Sequence, residues 1–304
     1  MEELRFDNRV AVITGGGRGL GRAHALLLAA RGCKLVINDP GVSLSGEATD
    51  AGPAEELAAE IRASGGAAIA NTDSVATAEG GKAIIGAAMA AFGRVDILIH
   101  SAGNVRRGSL KELSYQDFED VLSVHLRGAF HVVREAFPIM CAQKHGRIVL
   151  TSSINGLYGK ALNAPYSLCK AGMMGLSQTA AIEGAPDNVK SNLIVPAAVT
   201  RMSEGIDTSA FPDMLPEMVS PAVAWLAHDA CSISGEMLVA MAGRVGRAWI
   251  AESPGVFHKH WTIEQVAKDI DAIRDTSQPL HFPPLPDGQL DHLLYGFAMA
   301  RAAG

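Results

Sequence analysis

The sequence predicts a doubly wound α/β fold, in which helices cover both faces of a mostly parallel sheet. Short runs rich in Val, Ile and Leu alternate along the chain with longer, alanine-rich amphipathic segments. The short runs are continuously apolar, as strands buried on both faces of a parallel sheet are. A glycine-rich turn follows the first run, at the place where such folds bind ligands. We therefore expect one domain whose ligand site lies at the strand ends.

The individual elements are predicted in chain order from this alternation. Strands are predicted at 10–14, 34–39, 67–71, 95–99, 147–150 and 191–195. Helices are predicted at 20–31, 55–64, 77–92, 114–143, 165–183 and 262–273. The first helix stops at Gly32 and the fourth begins after a capping Ser114. Residues 40–53 form a Gly/Ser-rich loop that is longer than most connections in such folds.

Composition excludes several classes of protein. The chain has 304 residues, 48% of them hydrophobic and 19% charged, which is typical of a soluble globular protein. Its net charge of -6 argues against a nucleic-acid partner, because phosphates require a basic face. We find no signal peptide and no apolar run long enough to span a membrane, so we expect a cytoplasmic protein. The cysteines are scattered, which predicts reduced thiols and no metal site: Cys33, Cys141, Cys169 and Cys231.

The glycine-rich turn predicts a dinucleotide site. It lies after a strand and before a helix, where glycine lets the backbone approach a pyrophosphate. The N-terminus of the helix then offers free N–H groups and a positive dipole to the phosphates. This placement is typical of Rossmann-like domains. The candidate contacts are Gly15, Gly17, Arg18, Gly19, Leu20 and Gly21.

Two charged residues bear on the choice of cofactor. Asp39 ends the second predicted strand, where a carboxylate accepts hydrogen bonds from an adenosine ribose and repels a 2′-phosphate. Arg18 has the opposite tendency, since its guanidinium could hold that phosphate or could simply be solvated. Placing a phosphate beside a carboxylate is costly. We therefore expect NAD, with NADP as the less favoured alternative.

A tyrosine and a lysine are predicted to share one helix face. Tyr166 and Lys170 stand at i and i+4, so their side chains lie one above the other. A phenol ionises at about pH 10, and a nearby ammonium and an oxidised nicotinamide should both lower its pKa. Tyr166 can then exchange a proton with an alcohol. Ser153, thirteen positions earlier, can hydrogen-bond the same substrate oxygen.

These motifs together resemble the short-chain dehydrogenase/reductase superfamily across residues 6–243. The resemblance implies that residues 1–243 form a dinucleotide-binding catalytic domain, and that residues 244–304 are an extension packed on the core or on a neighbouring subunit. It also implies that Asp73 and Val75 lie near the adenine and Val199 at the nicotinamide carboxamide. The further cofactor contacts that it implies are Asp73, Ser74, Val75, Ser101, Ala102, Gly103, Tyr166, Lys170, Pro196 and Val199.

A narrower resemblance concerns the dehydrogenase unit of peroxisomal multifunctional enzyme type 2, also known as 17β-hydroxysteroid dehydrogenase type 4, and its bacterial single-domain relatives. The segments that carry it include 5–7, 38–39, 124–128, 182–184 and 225–228. It implies oxidation of (3R)-hydroxyacyl-CoA thioesters, some with steroid acyl groups, by a homodimer; a homotetramer is the alternative. Two other readings stay open: a dehydrogenase of hydroxysteroids, polyols or xenobiotic alcohols, and a nucleotide-binding regulatory protein without turnover.

Some positions depart from the superfamily pattern. Most members have Asn where His125 stands, and that Asn holds a water in a proton relay to Lys170. The multifunctional subgroup carries His in the same context, so His125 is either a relay or orienting residue or a core histidine. His100-Ser101 replaces the commoner Asn-Asn, which leaves open what makes the missing hydrogen bonds. Ala197 and Arg201 also replace the usual residues on the nicotinamide side.

Substrate choice is predicted to lie in the loop 154–162 and in a lid at 200–221. The lid is apolar and adaptable, which suits an apolar substrate. A pair of amphipathic helices covering the core would have the same sequence pattern. Its apolar side chains are Met202, Ile206, Phe211, Met214, Leu215 and Met218. Arg106, Arg107 and Lys111 could meet the phosphates of coenzyme A or could belong to a solvated loop.

Overall fold

The structure, a computed structural model, describes residues 3–41, 52–200, 207 and 209–302. It separates into two compact units, Met1–Arg247 and Ala248–Gly304. No helix within the described ranges is long and apolar enough to cross a membrane. Met202 and Ile206 of the predicted lid, Arg201 and most of the 40–53 loop lie outside the described residues.

The first unit is built on one eight-stranded sheet, in the order β3-β2-β1-β4-β5-β6-β7-β8. All neighbours from β3 to β7 pair in parallel. Ala242 and Gly243, both with positive φ, form a two-residue turn into the last strand, which is the geometry of an antiparallel hairpin. The strands are β1 Val10–Thr14, β2 Lys34–Asn38, β3 Ala68–Asn71, β4 Ile97–His100, β5 Gly146–Thr151, β6 Val189–Ala197, β7 Met237–Met241 and β8 Arg244–Ala248.

Helices cover both faces of this sheet, so the predicted doubly wound α/β class is confirmed. One layer holds α1, α2 and α8, and the other holds α3, α5 and α7. The central strands β1, β2, β4 and β5 are almost wholly buried, as their mostly apolar sequences predict. The helices are α1 Gly19–Ala30, α2 Gly52–Ala63, α3 Ala78–Phe92, α4 Tyr115–Leu122, α5 Gly128–Gln143, α6 Ile154–Tyr158, α7 Ala164–Gly184, α8 Ser220–Ala227, α9 Ile263–Ile273 and α10 Gly288–Ala302.

The predicted helical region at 114–143 forms, but it is not α-helical throughout. Ser114 caps the start as expected, with its Oγ accepting from the Asp117 amide. However, α4 and α5 are joined by a π-helical turn at Ser123–Arg127. Such turns insert an extra residue into a helix and are frequent at functional sites. This π-turn contains His125.

The second unit, 248–304, contains α9 and α10. Thr262 caps α9 in a reciprocal arrangement: its side chain accepts from the Gln265 amide, and the Gln265 side chain accepts from the Thr262 amide. This capping box explains why the predicted helix at 262–273 forms where the sequence indicates. Glu252 and Leu280 form an antiparallel bridge within the same unit.

The sheet brings the predicted functional residues to one edge. Strand order reverses between β1 and β4, since the chain runs outward to β3 before returning to β4. In open α/β sheets such a switch point opens a crevice beyond the carboxyl ends of the strands. Thr14, His100 and Thr151 are the last residues of β1, β4 and β5 and surround this crevice.

Candidate active site

The glycine-rich turn leads from β1 into α1 with almost no spare space. Gly15 has φ of 62°, and a Cβ added to it would lie 2.8 Å from the Cα of Ala102. A Cβ on Gly21 would lie 2.1 Å from the carbonyl oxygen of Gly15. These contacts let α1 pack directly against the turn. They also bring the turn against residues 101–102 at the end of β4, as the superfamily resemblance implies.

The N-terminus of α1 is available to an anion. Arg18 occupies the cap position but makes no side-chain capping hydrogen bond, and the first turn contains no acidic residue. Among the described residues, no side chain of the cap or of the first turn therefore compensates the positive end of the helix dipole. A Cβ on Gly19 would meet nothing closer than the Thr200 side chain at 3.6 Å. The cradle between Gly19 and Thr200 fits the pyrophosphate of a dinucleotide.

Asp39 ties the turn to the end of β2. Its Oδ2 accepts a hydrogen bond from the Gly17 amide at 3.1 Å, and its Oδ1 accepts from the Gly41 amide at 2.9 Å. Each carboxylate oxygen has a further lone pair that can accept from a hydroxyl. Asp39 is nearly buried, which makes a second negative group beside it unfavourable.

The segment after β3 forms the adjoining wall. The Asn71 side chain donates to Asp73 Oδ2 at 2.7 Å and holds that exposed carboxylate in place. Ser74 is exposed, whereas Val75 is buried against Gly128. Asp73 and Ser74 are therefore open to a ligand at this edge.

Ser153, Tyr166 and Lys170 come together at the end of β5. Ser153 caps α6, and it acts on the Tyr166 hydroxyl in the direction that lowers the pKa of the phenol. The Lys170 Nζ lies 5.6 Å from the centre of the Tyr166 ring and donates to the Thr151 carbonyl at 2.7 Å. One of the three N–H groups of the ammonium is thereby used, and the ammonium is held beside the phenol.

Burial controls the pKa values of this pair. It lowers the pKa of Lys170 to about 8. It also raises the pKa of Tyr166, although the hydrogen bond from Ser153 acts in the opposite direction. The expectation that the neighbouring ammonium makes this phenol acidic is therefore wrong for the protein groups alone. Desolvation outweighs the effect of Ser153, and positive charge close to the phenol is needed to lower the Tyr166 pKa.

His125 supports Tyr166 from the π-turn. The two rings meet edge to face, with centroids 5.2 Å apart. The His125 Nε2 lies 2.8 Å from the Asn104 carbonyl, and its Nδ1 has no partner among the described residues. Burial and then the Lys170 charge hold the His125 pKa well below 6.5, so the ring is neutral. Gly103 lies beneath it, since a Cβ there would be 2.5 Å from the ring.

His100 and Ser101 make the hydrogen bonds that the sequence left open. Ser101 Oγ lies 3.2 Å from Thr151 Oγ1, which links the ends of β4 and β5. His100 bridges Thr14 and the His125 carbonyl. Sequence reasoning did not find this role; the one available signal was a histidine at the end of a buried strand.

The nicotinamide side and the predicted lid meet at one backbone contact. The Val199 amide donates to the Met214 carbonyl at 2.7 Å. Pro196 lies within β6, which brings Val199 and Thr200 towards the glycine-rich turn. Phe211 and Leu215 are about half exposed, as an apolar lid requires.

The predicted coenzyme A contacts have a different environment. Arg106 forms ion pairs with Asp117 and Asp120, at 3.3 and 3.1 Å. Its charge is therefore already neutralised by α4, which weakens the case for a phosphate contact. Lys111 is exposed in the same loop.

A parallel sheet with a phosphate cradle at its switch point, facing a serine, tyrosine and lysine, defines the class of nicotinamide-dependent oxidoreductases. Within that class, the chain belongs to the short-chain dehydrogenase family. The family model described as short chain dehydrogenase matches residues 9–209.

Similar proteins include a multifunctional enzyme and a single-domain dehydrogenase. The chain is 46% identical over 242 residues to peroxisomal multifunctional enzyme type 2 of Drosophila melanogaster, covering 79% of this chain and 40% of that protein. It is 39% identical over 273 residues to a short-chain type dehydrogenase/reductase of Mycobacterium tuberculosis, covering 89% of this chain and 96% of the relative. The chain thus spans less than half of the multifunctional enzyme.

A solved structure supports the same subgroup. The full-length peroxisomal multifunctional enzyme type 2 from Drosophila melanogaster matches with a TM-score of 0.81 and 34% identity. The match covers 98% of this chain and 50% of that one. The sequence resemblance to this subgroup is therefore confirmed.

Proposed function

We propose that this protein is an NAD-dependent dehydrogenase of secondary alcohols, with (3R)-3-hydroxyacyl-CoA thioesters as its favoured substrates. The observation that carries the proposal is the Lys170 ammonium, held by the Thr151 carbonyl beside the Tyr166 phenol, with Ser153 acting on the same phenol. This arrangement can transfer a proton to or from a substrate oxygen. It lies at the same end of the strands as the phosphate cradle. A group that accepts the hydroxyl proton and a cofactor that accepts the hydride could therefore meet at one carbinol group of the substrate.

The chain's own residues bind and orient the cofactor in this proposal. The amides at the N-terminus of α1, from Gly19 to Gly21, would hold the pyrophosphate, while the Gly17 amide stays bonded to Asp39. Asp39 accepts from the adenosine ribose, while Asp73 and Ser74 lie towards the adenine. Two N–H groups of Lys170 remain for the hydroxyls of the second ribose, because its third is used by Thr151. The cofactor, when bound, supplies a positively charged ring that accepts hydride.

Tyr166 then accepts or donates the proton, and Ser153 orients the substrate oxygen. In alcohol oxidation the carbinol C–H leaves as hydride, and the hydroxyl proton passes to the Tyr166 oxygen. Ser153 donates a hydrogen bond to the oxygen that becomes the carbonyl. The Lys170 ammonium stabilises the phenolate that is needed beforehand. In ketone reduction the same atoms move in the opposite direction.

Two kinds of observation support a thioester substrate. The multifunctional enzymes and hydratase-dehydrogenase-epimerases are related to this chain at 37–46% identity. In addition, large apolar side chains are exposed on segments that adjoin Ser153 and Val199, which suits an acyl chain. These side chains are Ile154, Leu162, Phe211 and Leu215. The same resemblance supports a homodimer as the proposed assembly.

A substrate panel tests this proposal directly. Purified protein is incubated with NAD and, separately, with (3R)- and (3S)-3-hydroxyacyl-CoA thioesters, hydroxysteroids and polyols, and NADH absorbance is followed. We expect the highest kcat/KM with a (3R)-thioester. Preference for a free steroid or a polyol would support the second candidate, another secondary-alcohol dehydrogenase. No turnover with any alcohol, together with NAD binding, would instead support a regulatory nucleotide-binding protein.

Cofactor choice depends on Asp39. We expect the wild type to prefer NAD, and Asp39→Ala to lower kcat/KM for NAD by about tenfold, because a hydrogen bond to a charged group contributes about 1.5 kcal/mol. The same change should raise kcat/KM for NADP, since the carboxylate no longer repels its 2′-phosphate. Turnover with each cofactor at equal enzyme concentration measures both effects.

Arg18→Ala is the matched control for Asp39→Ala. It should leave NAD kinetics nearly unchanged and should cancel the gain with NADP when it is combined with Asp39→Ala. A wild type that prefers NADP would show that Asp39 has been assigned the wrong role.

The pH profiles of the two directions should differ. Burial raises the Tyr166 pKa in both directions, and the oxidised cofactor ring would add a positive charge that the reduced ring lacks. Oxidation requires the phenolate, so its rate rises with pH until Tyr166 is ionised. Reduction requires the phenol, so its rate falls once Tyr166 ionises, and with the neutral reduced ring this happens at a higher pH. Profiles of kcat/KM for substrate against pH, at saturating cofactor, measure the apparent Tyr166 pKa in each direction. A lower apparent pKa for reduction than for oxidation would contradict the assignment.

A further inference from the structure

His100 is a buried histidine with both ring nitrogens hydrogen-bonded. It ends β4 and is fully shielded from solvent. Its Nδ1 lies 2.9 Å from Thr14 Oγ1, and its Nε2 lies 3.1 Å from the His125 carbonyl. A carbonyl can only accept, so Nε2 carries the proton and Nδ1 accepts from the Thr14 hydroxyl. The two bonds therefore have a single consistent direction.

The hydrogen-bond chain extends to a predicted cofactor contact. The Ala102 amide donates to Thr14 Oγ1 at 3.4 Å. The Thr14 hydroxyl donates to His100 Nδ1, and His100 Nε2 donates to the His125 carbonyl. This chain links the ends of β1 and β4 to the π-turn. These are the elements that meet beside the phosphate cradle.

His100 differs in this respect from the other buried histidines among the described residues. His24, His125 and His145 each have one buried ring nitrogen that makes no hydrogen bond to a described residue. Burial lowers the pKa of His100 to about 3, so the ring stays neutral and keeps one donor and one acceptor at working pH. A neutral, doubly bonded ring can hold two elements at a fixed separation.

We propose that His100 is a positioning residue for the dehydrogenase reaction. It holds the carbonyl of His125, the residue whose ring meets Tyr166 edge to face. With Gly103 directly beneath the His125 ring, a shift of the π-turn moves the ring against Tyr166. His100 therefore sets the position of the phenol through His125 and touches neither substrate nor cofactor itself. This inference rests on the proposed function.

The test compares three variants. His100→Leu removes both hydrogen bonds at similar volume, whereas His100→Asn keeps one donor and one acceptor. His145→Leu is the matched control, because His145 is also buried but precedes β5 at the opposite edge of the sheet. We expect His100→Leu to lower kcat by about tenfold, equivalent to about 1.4 kcal/mol in the barrier, with KM for NAD changed by less than about twofold. His100→Asn should recover most of the loss, and His145→Leu should keep wild-type kcat per folded molecule.

Each other outcome overturns the inference. Unchanged kcat in His100→Leu would show that Tyr166 does not depend on His100. Equal losses in His100→Leu and His145→Leu, in step with their melting temperatures, would show general destabilisation. Where His100→Leu does not fold, Thr14→Val removes the hydroxyl bonded to Nδ1 and should lower kcat in the same way. If Tyr166→Phe loses activity and His100→Leu keeps it, this inference alone is refuted. If Tyr166→Phe keeps activity, the proposed function is refuted.

Discussion

Replacing Tyr166 by phenylalanine should lower the rate of alcohol oxidation by at least about two orders of magnitude while NAD still binds. The change removes one oxygen and keeps the ring that packs against His125. The substrate proton then has no acceptor. Because the phosphate cradle lies on other elements, NAD affinity should change by less than about threefold. Single-turnover rates and an NAD titration by protein fluorescence measure the two quantities.

Tyr115→Phe is the matched control for this prediction. Tyr115 is 92% exposed at the start of α4, so loss of its hydroxyl should leave both turnover and NAD binding unchanged. A Tyr166→Phe enzyme with wild-type turnover would remove Tyr166 from the chemistry. A variant that loses NAD binding as well would instead show that the hydroxyl supports the fold of the site.

Continuous apolar runs made most of the sheet predictable. Val10–Thr14 is buried between two helix layers, as is Lys34–Asn38 apart from its first residue, so the interior of each strand is apolar and the strand bounds are evident. β7 and β8 were not predicted: β7 is a short apolar run without a regular alternation after it, and β8 forms the edge of the sheet. Arg244 and Gly246 of β8 carry no such pattern, and their pairing depends on the turn at Ala242 and Gly243.

The site was predictable where spacing alone brings residues together. Tyr166 and Lys170 share a helix face at i and i+4, and the glycine-rich turn has to lie at the end of β1. The π-turn was not predictable, since its one-residue insertion changes the side of the helix on which His125 lies without changing the composition of the helix. The hydrogen bonds of His100 also cross 86 and 25 positions of sequence, which no local pattern encodes.

The sign of the Tyr166 pKa shift shows a further limit. The sequence places an ammonium near the phenol, and attraction between them was expected to dominate. The fold also buries the phenol, and removing it from water disfavours its charged form more strongly. Distance along a helix is encoded locally, whereas burial depends on every element that covers the site.

Gly21→Ala should abolish the cofactor site through a single methyl group. Its Cβ would lie 2.1 Å from the Gly15 carbonyl oxygen and 2.9 Å from the Gly16 Cα, and both are backbone atoms of the turn. The turn has to move away from α1, which we expect to cost at least about 2 kcal/mol of stability and to weaken NAD binding by at least about thirtyfold. Thermal unfolding and NAD titration measure both losses.

Gly86→Ala and Gly175→Ala separate this steric effect from helix propensity. Both glycines lie within helices, α3 and α7, and an added Cβ would meet nothing within 4 Å. Alanine should therefore raise stability by roughly 0.5–1 kcal/mol at each and leave NAD affinity unchanged. If Gly21→Ala behaved like these two variants and bound NAD normally, the close packing of α1 on the turn would not define the cofactor site. The proposal of a pyrophosphate at this helix N-terminus would then have to be abandoned, whatever the activity of Tyr166.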